Sequence, residues 1–255
     1  MSVNYPRHLG AAFADPDVVR NYRFRQPYPP ETFDILATLL VEPFTVLDAG
    51  CGTGALTRGL ARLAKRVDAV DPSEEMIRAA QRAGGDEPIR WIVGRAEDAP
   101  LAPPYGLITA GASIHWMDPE VVMPRFRTAL APGARLAIVD TTSVYPEGEP
   151  WRAELVAVIQ RYSPSHHDDL AALLKELETS GRFVREGEHA TAPVPYEQSV
   201  DDYMAALAST SSLSRVTLGD RFDDFAREAR AVLARHGIER IRAVLVASVI
   251  WGRPR

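Results

Sequence analysis

Apolar and polar positions follow a regular order through residues 31–142. Amphipathic stretches with helical spacing occupy four segments: 31–41, 55–64, 73–82 and 119–130. Short apolar runs typical of buried strands accompany them, one ending at Leu47 and the others at 66–71, 89–94, 105–113 and 129–142. This β-α-β-α order predicts a parallel sheet with helices on both faces. Ligands of such a sheet bind where its strands end.

The pattern changes after Pro146. Helical spacing marks 151–162, 168–181, 199–209 and 220–237, whereas 182–194 and 240–254 have the pattern of strands. These helices are too long to be simple connections. We therefore expect one domain, residues 1–255, with helical cap insertions at about 144–180 and 196–237.

Composition is that of a soluble globular protein, with 46% hydrophobic and 25% charged residues. The formal net charge of −5 and the lack of like-charge blocks argue against nucleic-acid or membrane partners. MSVNYPRHLG has no apolar signal-peptide core, and the lone Cys51 can form no intrachain disulfide, so a cytoplasmic location is expected. The lysines are Lys65 and Lys175 alone, which suggests bacterial genome bias.

A glycine-rich turn follows the first strand in the sequence DAGCGTG. Gly50, Gly52 and Gly54 are spaced GxGxG, whereas the pyrophosphate-binding fingerprint of dinucleotide enzymes reads GxGxxG. Asp48 stands two residues before the first glycine, where it would repel a pyrophosphate and attract an ammonium group. The turn therefore predicts a cationic, phosphate-free nucleoside ligand.

Asp71 ends the second strand on the same predicted rim. A carboxylate there can accept hydrogen bonds from both hydroxyls of a ribose. Ser73 is the better cap for the next helix. Met76, one turn into that helix, could pack its thioether on an adenine or be an ordinary core residue.

These motifs resemble those of the class I S-adenosylmethionine-dependent methyltransferases, in the type 11 branch similar to trans-aconitate methyltransferase. The resemblance implies an α/β fold with a Rossmann-like, mostly parallel sheet of seven strands in the order 3-2-1-4-5-7-6, the last strand antiparallel. It also implies S-adenosyl-L-methionine as cofactor, S-adenosyl-L-homocysteine as product, and a turn that holds the methionine and ribose parts of the cofactor.

The resemblance also implies an N-terminal lid, residues 1–30, in which Tyr22 or Arg25 closes over the methionine carboxylate. The adenine would be held by the Ala96 N–H and by the side chain of Glu97 or Asp98, although Arg95 stands where many members carry Asp. The complete predicted cofactor set is Tyr22, Arg25, Asp48, Ala49, Gly50, Gly52, Gly54, Asp71, Pro72, Met76, Ala96, Glu97, Gly111, Ser113 and Trp116.

The segment ASIHWMDP, residues 112–119, ends the fourth strand beside the expected position of the transferred methyl group. His115 is a candidate general base, or a packing residue, since methylation of an already ionised oxygen needs no base. The predicted substrate pocket comprises His115, Trp116, Tyr145, Trp151 and Tyr203.

The expected function is SN2 methyl transfer to an oxygen, hydroxyl or carboxylate, of a small metabolite or natural product, by a monomer or homodimer. Two alternatives remain open: a non-methylating enzyme of the same fold, and a non-catalytic regulatory protein that binds the cofactor. No metal site is expected, because adjacent helix residues do not face one way and His166, His167, Asp168 and Asp169 fit a loop before a helix.

Overall fold

A computed structural model describes residues 7–85, 88–163 and 170–255 of the chain. Eight strands form one sheet, with the bounds β1 Thr45–Ala49, β2 Arg66–Asp71, β3 Ile89–Val93, β4 Leu107–Gly111, β5 Leu136–Val144, β6 Phe183–Ala190, β7 Val194–Ser199 and β8 Arg240–Pro254. The predicted group of His166, His167, Asp168 and Asp169 lies outside the described residues.

The strand order is β3-β2-β1-β4-β5-β8-β6, and β7 also pairs with β8. The first five strands are parallel, and β8 runs antiparallel to β5. The predicted Rossmann-like order is confirmed, with the final strand inserted next to β5 as expected. The sheet has eight strands and not seven. The segment predicted as one strand at 182–194 forms β6, and a further strand, β7, follows it.

The break between β6 and β7 has a local cause. Both strands pair with the same long β8, in registers that place Ala190 opposite Ser248 and Val194 opposite Leu245. Between them, Thr191 exchanges hydrogen bonds with Ala247 through its backbone N–H (2.9 Å) and its side-chain oxygen (3.0 Å). Pro193, which follows outside both strands, lacks the N–H group that would continue the ladder.

Ten α-helices connect and flank the strands in the described part of the chain: α1 Pro16–Asn21, α2 Glu31–Leu39, α3 Ala55–Ala61, α4 Glu74–Arg82, α5 Pro119–Ala129, α6 Pro150–Tyr162, α7 Leu170–Thr179, α8 Val200–Ala208, α9 Arg215–Leu218 and α10 Arg221–Arg235. Short 3₁₀ helices cover Arg7–Ala14, Tyr22–Phe24 and Ile114–Trp116. None of the helices in these ranges has the length and apolar character needed to cross a membrane.

Helices cover both faces of the sheet. Successive strand residues point to opposite faces, so Val46 packs in the core under α2 and α3, and Leu47 in the core under α5 and α7. The central parallel strands are buried throughout, as a sheet covered on both sides requires. This core leaves the carboxyl ends of β1, β2, β3 and β4 on one rim.

A second hydrophobic core lies in the later part of the chain. Helices α6, α8 and α10 pack around side chains such as Leu155 and Phe225, both fully buried. Helix α8 also contacts the 3₁₀ turn Tyr22–Phe24, and α9 contacts Arg7–Ala14. These contacts bring residues 7–24 together with residues 200–218.

Candidate cofactor site

A cavity of about 610 Å³ lies on the rim where β1, β2, β3 and β4 end. Its lining includes most of the predicted cofactor residues, namely Tyr22, Arg25, Gly50, Gly52, Asp71, Pro72, Met76, Ala96, Glu97, Gly111, Ser113 and Trp116, together with His115. Five separate stretches of sequence are therefore brought to one place.

The glycine turn is tied to the neighbouring strand by its own N–H groups. Those of Gly50 and Cys51 both donate to the Val70 carbonyl (2.8 and 3.0 Å), and that of Gly52 donates to Asp71 Oδ2 (2.8 Å). A turn that binds a pyrophosphate needs such groups open toward the ligand. The occupied N–H groups therefore favour a ligand without phosphate at this turn.

Gly52 also leaves room for a ligand close to the backbone. Its φ of +53° lies in the left-handed region, and a Cβ added there would approach the ring of Tyr22 at 3.6 Å. The space between the turn and Tyr22 thus depends on the missing side chain.

Asp71 is held with its carboxylate toward the cavity rim. Oδ2 accepts from Gly52 N–H and Oδ1 from Ser73 N–H, both at 2.8 Å, and the residue is 8% exposed. Burial raises the pKa of Asp71, while these two N–H donors lower it. Each oxygen keeps acceptor capacity for a hydroxyl donor.

Asp48 lies beneath the turn and does not line the cavity. Thr57 and Thr109 donate hydrogen bonds to its two oxygens, at 2.6 and 2.8 Å, and its exposure is only 1%. Burial raises its pKa to about 6, the two threonines lower it and Asp71 raises it further. The structure therefore places Asp48 as a support for the turn.

Ala49 and Gly54, also predicted as cofactor contacts, are outside the lining as well. Ala49 is fully buried and its carbonyl accepts from Ser113 Oγ at 2.6 Å. A Cβ on Gly54 would lie 2.5 Å from Trp91, so this glycine permits a close packing contact. Both residues shape the turn from below.

The end of β3 contributes the opposite wall. Glu97 accepts from Asp118 N–H at 2.9 Å and pairs with Arg95 at 3.1 Å, while Met76 on α4 is 1% exposed. One Glu97 oxygen is thus used to join two loops. Ala96 lines the cavity beside it.

The end of β4 supplies an aromatic wall. The ring of Trp116 lies 4.8 Å from that of His115 and 5.6 Å, edge-on, from that of Phe13. Burial, and to a lesser degree the charge of Arg25, lowers the pKa of His115 to about 4. His115 is therefore neutral at physiological pH.

The N-terminal segment, residues 7–25, lies against this wall. Phe13 accepts a hydrogen bond from Ser73 Oγ through its carbonyl (2.7 Å), which joins the segment to α4. Arg25 donates from Nε to Ser209 Oγ (3.0 Å) and from Nη2 to Ser209 O (2.9 Å), and its guanidinium lies 4.2 Å from the Tyr22 ring centroid. The segment therefore bridges the sheet and α8.

The structure does not bring Tyr145, Trp151 and Tyr203 to this cavity. They pack in the second core, where Tyr145 and Trp151 meet edge-on at 5.9 Å and Arg152 stacks 3.5 Å from the Tyr145 ring centroid. These large, mainly apolar side chains pack between α6, α8 and α10.

Several lining residues were missed by sequence reasoning. They come from the N-terminal 3₁₀ helix and from the end of α6 and the loop after α8, namely Gly10, Ala11, Phe13, Ala14, Ile159, Ser163, Leu207, Thr210, Ser211, Ser212 and Leu213. The only local signal was the run of small polar residues STSSLS at 209–214, which also occurs in ordinary surface loops. Among the described residues, no three His, Cys, Asp or Glu side chains are grouped as metal ligands.

Comparisons with known proteins agree with this geometry. Residues 47–138 match the methyltransferase domain family. An uncharacterised methyltransferase of Mycobacterium tuberculosis is 36% identical over 140 residues, which cover 54% of this chain and 55% of that protein. A malonyl-[acyl-carrier protein] O-methyltransferase of Anoxybacillus flavithermus is 36% identical over 85 residues, covering 32% and 33% of the two chains. The chain spans about half the length of the curated relatives matched over the longest stretch.

Solved structures extend the likeness over most of the chain. A protein of Anaeromyxobacter dehalogenans assigned as a type II methyltransferase superimposes with a TM-score of 0.61 at 26% identity, covering 91% of this chain and 99% of that one. The cyclopropane synthase MmaA2 of Mycobacterium tuberculosis shares the fold, with a TM-score of 0.55 at 16% identity over 99% of this chain. Residues 47–138 therefore match a methyltransferase domain, and the sheet order and the cavity at the strand ends agree with that match.

Proposed function

We propose that the protein transfers the methyl group of S-adenosylmethionine to a hydroxyl or carboxylate oxygen of a small metabolite or natural product. The observation that carries the proposal is the cavity at the ends of β1 to β4, with Asp71 beside a glycine turn whose N–H groups are already used. This combination suits a nucleoside that has ribose hydroxyls and no phosphate.

The residues present fit that cofactor. Asp71 would accept the ribose hydroxyls, Arg25 would hold the methionine carboxylate as a bidentate donor, and the space above Gly52 would admit the chain between them. Ala96 and Glu97 would contact the adenine. When bound, S-adenosylmethionine supplies an electrophilic methyl group on a positively charged sulfur.

The protein's own part is to align the acceptor and to exclude water. Trp116, Phe13 and Tyr22 form an aromatic wall around the cavity, with Phe13 edge-on to both other rings at 5.6 and 6.2 Å. Alignment of the reacting atoms can lower the barrier substantially, and a dry site strengthens the electrostatic interactions inside it. Neutral His115 would accept a proton from a hydroxyl acceptor, whereas a carboxylate needs no base.

Calorimetric titration with S-adenosylmethionine tests the cofactor assignment through Asp71→Asn. An amide loses the charge that strengthens the hydrogen bonds to ribose, so we expect affinity to fall by at least about tenfold. Asp34→Asn, an exposed position on α2, is the control and should bind as the original protein does. Equal affinity of Asp71→Asn and the original protein would refute the ribose role.

Turnover separates the three candidate functions. Methyl transfer produces S-adenosylhomocysteine in step with a methylated acceptor, a non-methylating enzyme leaves the cofactor intact, and a regulatory protein binds it without changing any acceptor. Binding of NADH in place of S-adenosylmethionine would contradict all three.

We also infer a cytoplasmic location and small-molecule partners, with a monomer or homodimer as the active form. The support is a single, buried Cys51 and a modest acidic charge without basic clusters. The branch similar to trans-aconitate methyltransferase, the lid at 1–30 and the caps at about 144–180 and 196–237 belong to the same proposal.

A further inference from the structure

The cavity continues beyond the residues proposed for the cofactor. Its lining also includes Ile159 of α6, Leu207 of α8 and Leu213 of the loop that joins α8 to α9. Together with Trp116 and Phe13, these residues give the cavity an apolar portion.

Two hydroxyl groups interrupt this apolar lining. Ser211 and Ser212 are half-buried, line the cavity, and have side-chain oxygens without a hydrogen-bond partner anywhere in 7–85, 88–163 or 170–255. By contrast, the neighbouring Thr210 hydroxyl is used within the loop, since it donates to Leu207 O (2.8 Å) and accepts from Leu213 N–H (3.3 Å). The serines are therefore the groups of this loop that a ligand could engage.

The loop that carries the serines is held from several sides. Thr217 donates to the Ser211 carbonyl at 2.6 Å, and Ser214 donates to Thr217 at 3.0 Å. At its start, Ser209 accepts from Arg25. Ser211 and Ser212 are thus presented by a braced backbone, which reduces the conformational entropy lost when they bind a ligand.

The charged residues of the described lining are Arg25, Asp71, Arg95 and Glu97. Of these, Arg25 reaches the serine loop through its hydrogen bonds to Ser209. Asp71 is engaged by backbone N–H groups, and Glu97 pairs with Arg95 at 3.1 Å. Arg25 is the remaining charge, and its protein partners, Ser209 and Tyr22, are neutral. If the cofactor carboxylate neutralises Arg25, the part of the cavity around Ser211 offers a second ligand only apolar and neutral polar groups.

We propose that this part of the cavity is the acceptor subsite, and that it takes an uncharged, mainly apolar molecule carrying a hydroxyl. The inference rests on the proposed function and narrows it from any oxygen acceptor to an alcohol or phenol. Ser211 and Ser212 determine specificity by hydrogen bonding to the oxygens of that molecule. An acceptor with a net charge would be desolvated there without a partner, which is unfavourable.

Three probes with one carbon skeleton test the charge requirement: 3-phenylpropan-1-ol, 3-phenylpropanoate and 3-phenylpropan-1-amine. Each is titrated calorimetrically into the protein, both free and saturated with S-adenosylhomocysteine. We expect the alcohol to bind the saturated protein at least tenfold more tightly than either ion. Tighter binding of the carboxylate or the amine, or no binding of the alcohol, overturns the proposal.

The double variant Ser211→Ala, Ser212→Ala tests the two hydroxyls. It should weaken binding of the alcohol by about tenfold and leave the affinity for S-adenosylhomocysteine unchanged. Val216→Ala is the control, because Val216 is 55% exposed on α9 and does not line the cavity. Unchanged alcohol binding in the double variant overturns the role of the serines.

The proposed function and the proposed acceptor class can fail in distinguishable ways. If S-adenosylhomocysteine does not bind the original protein, the proposed function is contradicted, and the acceptor subsite that rests on it is overturned with it. If S-adenosylhomocysteine binds and the probe order is reversed, the proposed function stands and the acceptor class is wrong.

Discussion

Asp48 and His115 stand at the ends of the neighbouring strands β1 and β4, and burial moves their pKa values in opposite directions. The pKa of Asp48 rises to about 6 and that of His115 falls to about 4. In both cases burial favours the neutral form. The rim therefore holds two neutral groups near pH 5, where exposed side chains of the same types would both be charged.

Asp48→Asn should change how stability depends on pH. Because the folded pKa of Asp48 exceeds its unfolded value of 3.8, its favourable contribution is present below about pH 4 and is lost as pH rises through about 6. Between pH 4 and pH 7, we expect the free energy of unfolding of the variant to rise by on the order of 3 kcal/mol relative to that of the original protein. Urea unfolding of both proteins at pH 4 and pH 7 measures this difference in the free energy of unfolding.

The exposed Asp34→Asn is the control for that experiment, because it makes the same replacement on the surface of α2. The contribution of His115 to stability depends on pH in the opposite direction. Because its folded pKa lies below 6.5, its destabilising effect grows as pH falls from about 6.5 to 4. A pH-independent Asp48→Asn difference would show that this carboxyl is not shifted.

At the scale of elements, the glycines of the turn differ in role, because some permit close packing and another leaves space for a ligand. Gly54 permits packing on Trp91, and Gly50 fits under Ser113, where an added Cβ would come within 2.4 Å. Gly52 faces the cavity. A substitution at Gly52 should therefore separate ligand binding from folding more cleanly than one at either neighbour.

Gly52→Ala and Gly133→Ala form a matched pair for this purpose. Both glycines have positive φ, +53° and +81°, so alanine should destabilise the fold by about 1–2 kcal/mol at each. A Cβ at Gly133 meets no atom within 4 Å. Only Gly52→Ala should weaken the affinity for S-adenosylhomocysteine measured by calorimetry, by about tenfold or more. Equal losses of affinity in both variants would contradict a role of the turn in lining the cavity.

Elements with a strong local signal could be predicted, and those defined by distant contacts could not. Asp15 and Ser73 cap α1 and α4 as their sequence positions suggest, because a cap depends on residues three apart. The loop at 209–214 has no such signal, since Arg25 and the cavity that define it lie far away in sequence. The aromatic residues of the cap were ambiguous for the same reason, and Tyr145 and Trp151 pack in a core.

For the whole molecule, the exposed edge of the sheet at β6 bears on self-association. Arg185 pairs with Glu178 and Glu188, both at 2.6 Å, and the register shifts between Arg185 and Gly187. Charged side chains and a bulge keep an edge strand from pairing with another chain. The edge of β6 is therefore poorly suited to join two copies through their sheets.

The double variant Arg185→Val, Glu188→Val should expose this edge. Removing the charges leaves apolar β-branched residues beside unpaired backbone groups, so we expect concentration-dependent association, measured by size-exclusion chromatography with light scattering. Arg230→Ala on α10 removes an exposed charge elsewhere and serves as the control. Unchanged mass in the double variant would show that the edge is protected by its shape alone.

The continuity of the cavity of about 610 Å³ has a practical consequence for ligand design. The proposed cofactor and acceptor regions are parts of one space, whose lining includes both Asp71 and Leu213. A single synthetic molecule that joins an adenosine to an apolar alcohol could fill both regions at once. Such a bisubstrate compound loses its translational and rotational freedom once and not twice, so its affinity should exceed that of either half.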